Sequence, residues 1–213
     1  MNNLIYELQT AVKTYPGLKI LDQDKQPYLE GNVELIVPET GAAYDIFNLS
    51  ISFPNDYPRC FPKVTEITGI KIPKSEHRHV NPDGTLCLAV EIEEKLLCKH
   101  GITLEWFIER ILLPRLAEEN GINNRRGKYQ REYDHGAKGM WQFYYKHFST
   151  DSKNTIIEIL KCIVNCNLPK GYESCICGSK IKFKKCHRPA IIEIQTVGKI
   201  FIEKQLEILL THQ

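Results

Sequence analysis

His79-Val80-Asn81-Pro82-Asp83-Gly84-Thr85-Leu86-Cys87-Leu88 places one cysteine just past a Gly turn, with an asparagine six residues upstream. This is how a chain presents a thiol at the end of an ordered loop. Tyr57-Pro58-Arg59-Cys60-Phe61-Pro62-Lys63-Val64 precedes it. Before that, Phe47, Leu49, Ile51 and Phe53 alternate with Asn48, Ser50 and Ser52, the period of a strand with one face buried. Val33, Leu35 and Val37 repeat the pattern, with a turn predicted at Pro38 to Gly41, and Phe61 to Ile67 can supply a further strand. The region from Gly69 to Leu88 is rich in Pro, Gly, Asn and His and reads as a loop that carries chemistry.

Helical periodicity flanks this core. Leu4, Ile5, Leu8 and Val12 predict an amphipathic helix over about 3–15, stopped by Pro16-Gly17. Thr103 is a predicted N-cap, followed by an apolar face of Leu104, Phe107, Ile108, Ile111, Leu112 and Leu116, with Pro114 expected to kink or shorten the helix. Asn120 to Lys128 reads as polar and turn-rich. Trp141, Phe143 and Tyr144 mark an aromatic helix, and Ile156, Ile157, Ile159, Leu160, Ile163 and Val164 another. A boundary near 149–151 divides the chain into an α+β domain, 1–150, and an appendage, 151–213, closed by the apolar residues between Ile191 and Leu210.

Composition narrows the class. The 213 residues carry 28 basic and 26 acidic side chains, a formal charge of +2, which argues against a large nonspecific nucleic-acid surface and points to protein or small-molecule partners. No apolar run approaches the ~20 residues of a membrane span, and Met1-Asn2-Asn3-Leu4 lacks a signal-peptide profile, so the expected location is the cytoplasm. The eight cysteines are then read as thiols used in metal binding, catalysis and packing, with no disulfides. Cys98 near His100 and Cys60 are read as packing residues, and Cys162 with Cys166 as part of a core face.

The Tyr-Pro-x-x-x-Pro segment and the His-x-Asn loop ending in Cys-Leu together resemble the ubiquitin-conjugating enzyme family. Val80 stands where the family has Pro, and the interval from Asn81 to Cys87 is short, features similar to prokaryotic members of antiphage systems. Those members also carry a His-Gly-x-x-Gly loop, matched by His135-Gly136-Ala137-Lys138-Gly139. The resemblance implies an antiparallel meander sheet flanked by helices. It implies Cys87 as the nucleophile that takes the C-terminus of a protein partner as a thioester and passes it to a lysine amine. Asn81 then either donates to the oxyanion or holds the loop. His79, a candidate site residue, is read as ordering the loop rather than as a base, because a weakly acidic thiol needs little help in losing its proton, and His135 either orients the incoming group or stabilises its own loop. The implied partners are a nucleotidyltransferase resembling cyclic GMP-AMP synthase, or a ubiquitin-like protein, and an activating enzyme.

Near the C-terminus, Cys175-Ile176-Cys177-Gly178-Ser179 and Cys186-His187 have C-x-C-x8-C-H spacing. Three thiolates and one imidazole suit tetrahedral zinc with a closed shell, hence a structural ion. The pattern resembles the SEC-C motif. Lys180, Lys182, Lys184, Lys185 and Arg188 make the knuckle basic. Two other readings stay open: a docking module of the same fold with Cys87 buried, and a knuckle that holds RNA or a ribosome.

Overall fold

The computed structural model describes residues 2–124 and 133–212. The chain forms two compact units: 1–88 with 100–130, and 89–99 with 131–213. No helix among the described residues is long and apolar enough to cross a membrane.

The first unit is a mixed α+β structure. Helix α1 (Asn2–Thr14) leads into a four-stranded antiparallel sheet in the order β1 (Leu18–Gln23), β2 (Gln26–Ile36), β3 (Ala43–Ser52), β4 (Lys63–Glu66). The alternation read from the sequence is the buried face: Leu29 and Val33 of β2 stand opposite Ile51 and Phe47 of β3, and Ile51 stands opposite Val64 of β4. Glu30, Asn32, Asn48 and Ser50 occupy the other face, as period two demands. Strand β1 and the first half of β2 carry no comparable signal, because β1 buries only Leu18. Gly31 explains how that hairpin fits. Its φ is +138°, and a Cβ there would lie 2.1 Å from the Gly17 carbonyl oxygen, which itself accepts the Asn32 N–H at 3.0 Å.

Leu8 and Ala11 of α1 pack inward, whereas Ile5, expected on the apolar face, is exposed. Thr103 caps α3 (Leu104–Phe107) by accepting the Trp106 N–H at 3.2 Å. The helix continues through a π-helical segment, Ile108–Leu112, into α4 (Leu113–Asn123). Pro114 is the physical reason. It lacks an N–H, and the wider turn before it carries the helix past the proline, with the Leu113 N–H bonded to the Ile108 carbonyl. The rod therefore neither stops nor breaks at Pro114. Asn120 to Asn123, expected in a turn-rich stretch, finish α4, and the part of that stretch from 125 onward lies outside the described residues.

The second unit is helical: α2 (Glu91–Cys98), α5 (Gly136–Phe148), α6 (Lys153–Val164), α7 (Arg188–Gln195) and α8 (Lys199–Thr211). Its core joins Ile92, Trp141, Tyr144 and Phe148 to Ile156, Ile159, Leu160, Ile191, Ile202 and Leu209. The 149–151 stretch is the connection between α5 and α6 within this unit. Ser149 takes the left-handed conformation as C-cap of α5, and Ser152 caps α6 through the Thr155 N–H at 3.1 Å. Cys98 is fully buried, consistent with packing. The expected core face of Cys162 and Cys166 is not formed: α6 ends at Val164, so Cys162 is half-buried and Cys166 is exposed at φ +54°.

Candidate functional sites: the Cys87 loop and a Cys3His cluster

The first candidate site grows out of β4. Tyr57 donates its hydroxyl to Glu7 Oε2 of α1 at 2.6 Å, and the same oxygen accepts the Leu104 N–H at 2.8 Å, so one carboxylate ties the Tyr-Pro segment to two helices. Phe61 packs its ring on Phe107, centroids 5.4 Å apart. The chain entering the loop is fixed by these contacts.

Val80 and Leu86 then pair as an isolated antiparallel bridge around a tight turn. The Asn81 carbonyl accepts the Gly84 N–H at 2.9 Å, with Pro82 at the second turn position and Gly84 at φ +89°. Asn81 N–H donates to the Thr85 carbonyl at 2.8 Å, and its side-chain amide donates to Thr85 Oγ1 at 3.0 Å. Asp83 accepts from both the Thr85 hydroxyl and N–H, at 2.6 and 3.0 Å, and these bonds hold its carboxyl below the usual range. Asn81 is thus tied to Thr85 through both its backbone and its side chain.

Cys87 follows directly. Leu86 N–H donates to the Val64 carbonyl at 2.7 Å, anchoring the downstream arm to β4, and Cys87 N–H donates to the His79 carbonyl at 2.8 Å. His79 has φ +50°, unusual for a side chain with a Cβ, and that turn aims its carbonyl at the Cys87 amide. The thiol is half-buried and in no disulfide. Unit one thus brings His79, Asn81 and Cys87 into one loop.

His135 belongs to the second unit, at the N-cap of α5. The two glycines after it have distinct reasons. Gly136 adopts φ +57°, and a Cβ on Gly139 would sit 1.9 Å from the Asp134 carbonyl oxygen. Gln142 closes the staple, accepting the Asp134 N–H at 2.6 Å and donating to the Asp134 carboxylate at 2.7 Å; Lys138 pairs with the same carboxylate at 2.8 Å.

The second candidate site is the cluster of Cys175, Cys177, Cys186 and His187, whose ligand atoms lie within 4.8 Å of one another. Cys175 Sγ and Cys186 Sγ are each 3.3 Å from His187 Nδ1, and Cys177 Sγ is 3.6 Å from Cys186 Sγ. A tetrahedral zinc with ordinary bond lengths has edges of about 3.5–3.8 Å, so this set fits a metal with small adjustment. The backbone builds the cluster: Gly178 at φ +77° and Lys180 at φ +60° turn the knuckle, and Cys175 N–H bonds the Ile181 carbonyl at 2.9 Å. His187 Nε2 donates to the Phe148 carbonyl at 2.7 Å, which leaves Nδ1 as the ligand. Burial pushes the Cys177 thiol up, but hydrogen bonds from Ser179 and the neighbouring cysteines outweigh it and bring it to about 6. Burial and the neighbouring thiols push Cys186 up to about 11, against an opposing bond from Ser179. A bound metal would let so crowded a set of thiolates coexist. The knuckle lysines are exposed around it.

Sequence reasoning missed the buried charges of this chain. Glu119, Arg115 and Arg78 form an ion-paired trio on α4 and the loop before Cys87. The i, i+4 spacing of Arg115 and Glu119 was the available signal, and it reads equally well as a surface pair.

No curated protein matches the chain, and no solved structure matches it. The family profile described as SEC-C motif matches residues 173–189, the segment that contains all four residues of the cluster.

Proposed function

We propose that this protein is an acyl carrier of the ubiquitin-conjugating type, with Cys87 as the thioester-forming residue. The observation that carries this reading is the presentation of Cys87: a half-buried thiol at the end of a turn whose arms are bonded to the sheet on one side and to His79 on the other. The order of helix, four-stranded meander and cysteine loop, and the Tyr57 anchor, support it.

In the first step the Cys87 thiolate attacks the carbonyl carbon of a protein C-terminus that an activating enzyme has already joined to a thiol or to adenylate. A C–S bond forms, the bond to the leaving group breaks, and the thiol proton passes to solvent. In the second, a lysine amine attacks the thioester, the amide forms, the Cys87 thiolate leaves with its electron pair, and the amine's proton goes to solvent. Asn81 and Asp83 keep the loop rigid through both steps, and His79 sets the Cys87 backbone. We propose antiphage defence as the setting, with a nucleotidyltransferase resembling cyclic GMP-AMP synthase as the conjugated protein. The four residues near the C-terminus would hold zinc as a structural ion that pins the knuckle.

Intact-mass analysis of protein isolated from its native cells under acidic, nonreducing conditions tests the assignment. Wild type should carry a reductant-labile mass increment that Cys87→Ala lacks. Equal increments in both, or none in wild type with the conjugated protein and an activating enzyme expressed, overturn it.

A further inference from the structure

We propose that Glu119 is a positioning residue for Cys87, acting through Arg78 and Arg115 on the upstream arm of the cysteine loop. The inference rests on the acyl-carrier reading.

Glu119 is fully buried in α4, and Arg115, one turn earlier, is 2% exposed. A carboxylate in such a place requires compensation, and among the described residues the guanidinium groups of Arg115 and Arg78 supply it. Apolar side chains of similar volume would pack a helix at least as well. What the trio adds is a set of aimed donors. Arg115 Nη2 donates to the Arg78 carbonyl at 2.7 Å, and Arg78 Nη2 donates to the Lys71 carbonyl at 2.9 Å. Asn123 completes the frame, accepting from Arg78 at 2.7 Å and donating to the same Lys71 carbonyl at 3.0 Å.

Both ends of the 71–78 segment are therefore held by α4. The next residue is His79, whose carbonyl accepts the Cys87 N–H. The two arms of the loop thus have different anchors: Leu86 is pinned to β4 by the Val64 carbonyl, and the upstream arm is pinned by the charged trio. Cys87 is bonded across to the arm that the trio controls. Removing the carboxylate leaves two cations facing each other, and the arm that sets the Cys87 amide loses its fixed geometry. Acyl transfer is sensitive to displacements of about 1 Å at the reacting atom, so the effect reaches the thiol without contact to any substrate.

The test uses the full chain with Glu119→Gln, Arg78→Gln and Asn123→Ala, the last an exposed side chain whose loss leaves folding intact. Three quantities are read: iodoacetamide labelling of Cys87 relative to Cys60, hydrogen exchange at the Cys87 amide, and the reductant-labile adduct in native cells. Glu119→Gln and Arg78→Gln should speed Cys87 amide exchange about tenfold, change the Cys87-to-Cys60 labelling ratio, and lower the adduct about tenfold or more, with Asn123→Ala in between. If Glu119→Gln fails to fold, Arg78→Gln and Asn123→Ala decide. Wild-type exchange, labelling ratio and adduct in the folded variants overturn the inference while leaving the carrier reading intact. Absence of adduct in wild type sinks the carrier reading and this inference with it, even where exchange at Cys87 changes.

Discussion

Single residues show most clearly where polar chemistry has been placed for geometry and where it has been tolerated. Tyr144 is fully buried in the second unit, and its hydroxyl has no hydrogen-bond partner among the described residues. Burial, reinforced by the charge of Glu91, pushes its phenol far above the usual range, so it is neutral at any working pH. Tyr144→Phe should therefore raise stability by about 1 kcal/mol, read from a denaturation midpoint, because an unsatisfied buried donor is removed with the ring kept. Gly139 is the opposite case. Its missing Cβ makes room for the Asp134 carbonyl, and Gly139→Ala should destabilise the second unit by about 1–3 kcal/mol, measured the same way. The sequence displayed the His-Gly-x-x-Gly pattern but offered no way to see that its second glycine answers to a backbone oxygen two residues before its helix begins.

At the scale of elements, what was legible followed periodicity, and what was hidden depended on partners far along the chain. The row of Phe47, Leu49 and Ile51 announced β3, and Thr103 announced the start of α3. Strand β1 was not announced, since five of its six residues are exposed, and it exists by pairing with β2. The π-helical turn before Pro114 was equally invisible, because the sequence shows the missing N–H and not the way the rod absorbs it. At the Cys87 loop the turn chemistry was readable from Pro82, Asp83 and Gly84, whereas the Arg78–Arg115–Glu119 trio required the fold. Asp45, at the start of β3, joins elements in a similar way. Burial works against its charge, but bonds from Lys71 and Asn120 and the Ile46 N–H outweigh that and lower its pKa. A depressed carboxylate stabilises the fold above its unfolded value, near 3.9, and that contribution is lost as pH falls through the lower folded value. Asp45→Asn should accordingly reduce stability at pH 7 and flatten the loss of stability below about pH 4, measured by urea unfolding across pH.

At the scale of the molecule, the Cys3His cluster is built into the core of the second unit. His187 spans the cluster and the Phe148 carbonyl at the end of α5, and Phe183 of the knuckle lies in the same core as Trp141 and Ile156. Chelation, or Cys186→Ser, should strip about one metal ion per chain and reduce hydrogen-exchange protection in α5, α6 and α7 together, with the strands of the first unit as the internal reference. Retained protection in α5 after complete metal removal would count against this coupling.

The chain leaves the first unit at residue 88, contributes α2 to the second, returns at 100, and departs again at 131. On the ribosome, this order means that Cys87 emerges before the rod of α3 and α4 that secures its loop, and that Ile92 emerges well before the helices that cover it. For the time needed to make more than a hundred further residues, at roughly 5–20 per second, α2 is an apolar strip without its lid. The loop that carries Cys87 is thus secured only after α4 has been made, and the apolar face of α2 stays uncovered until α8 follows.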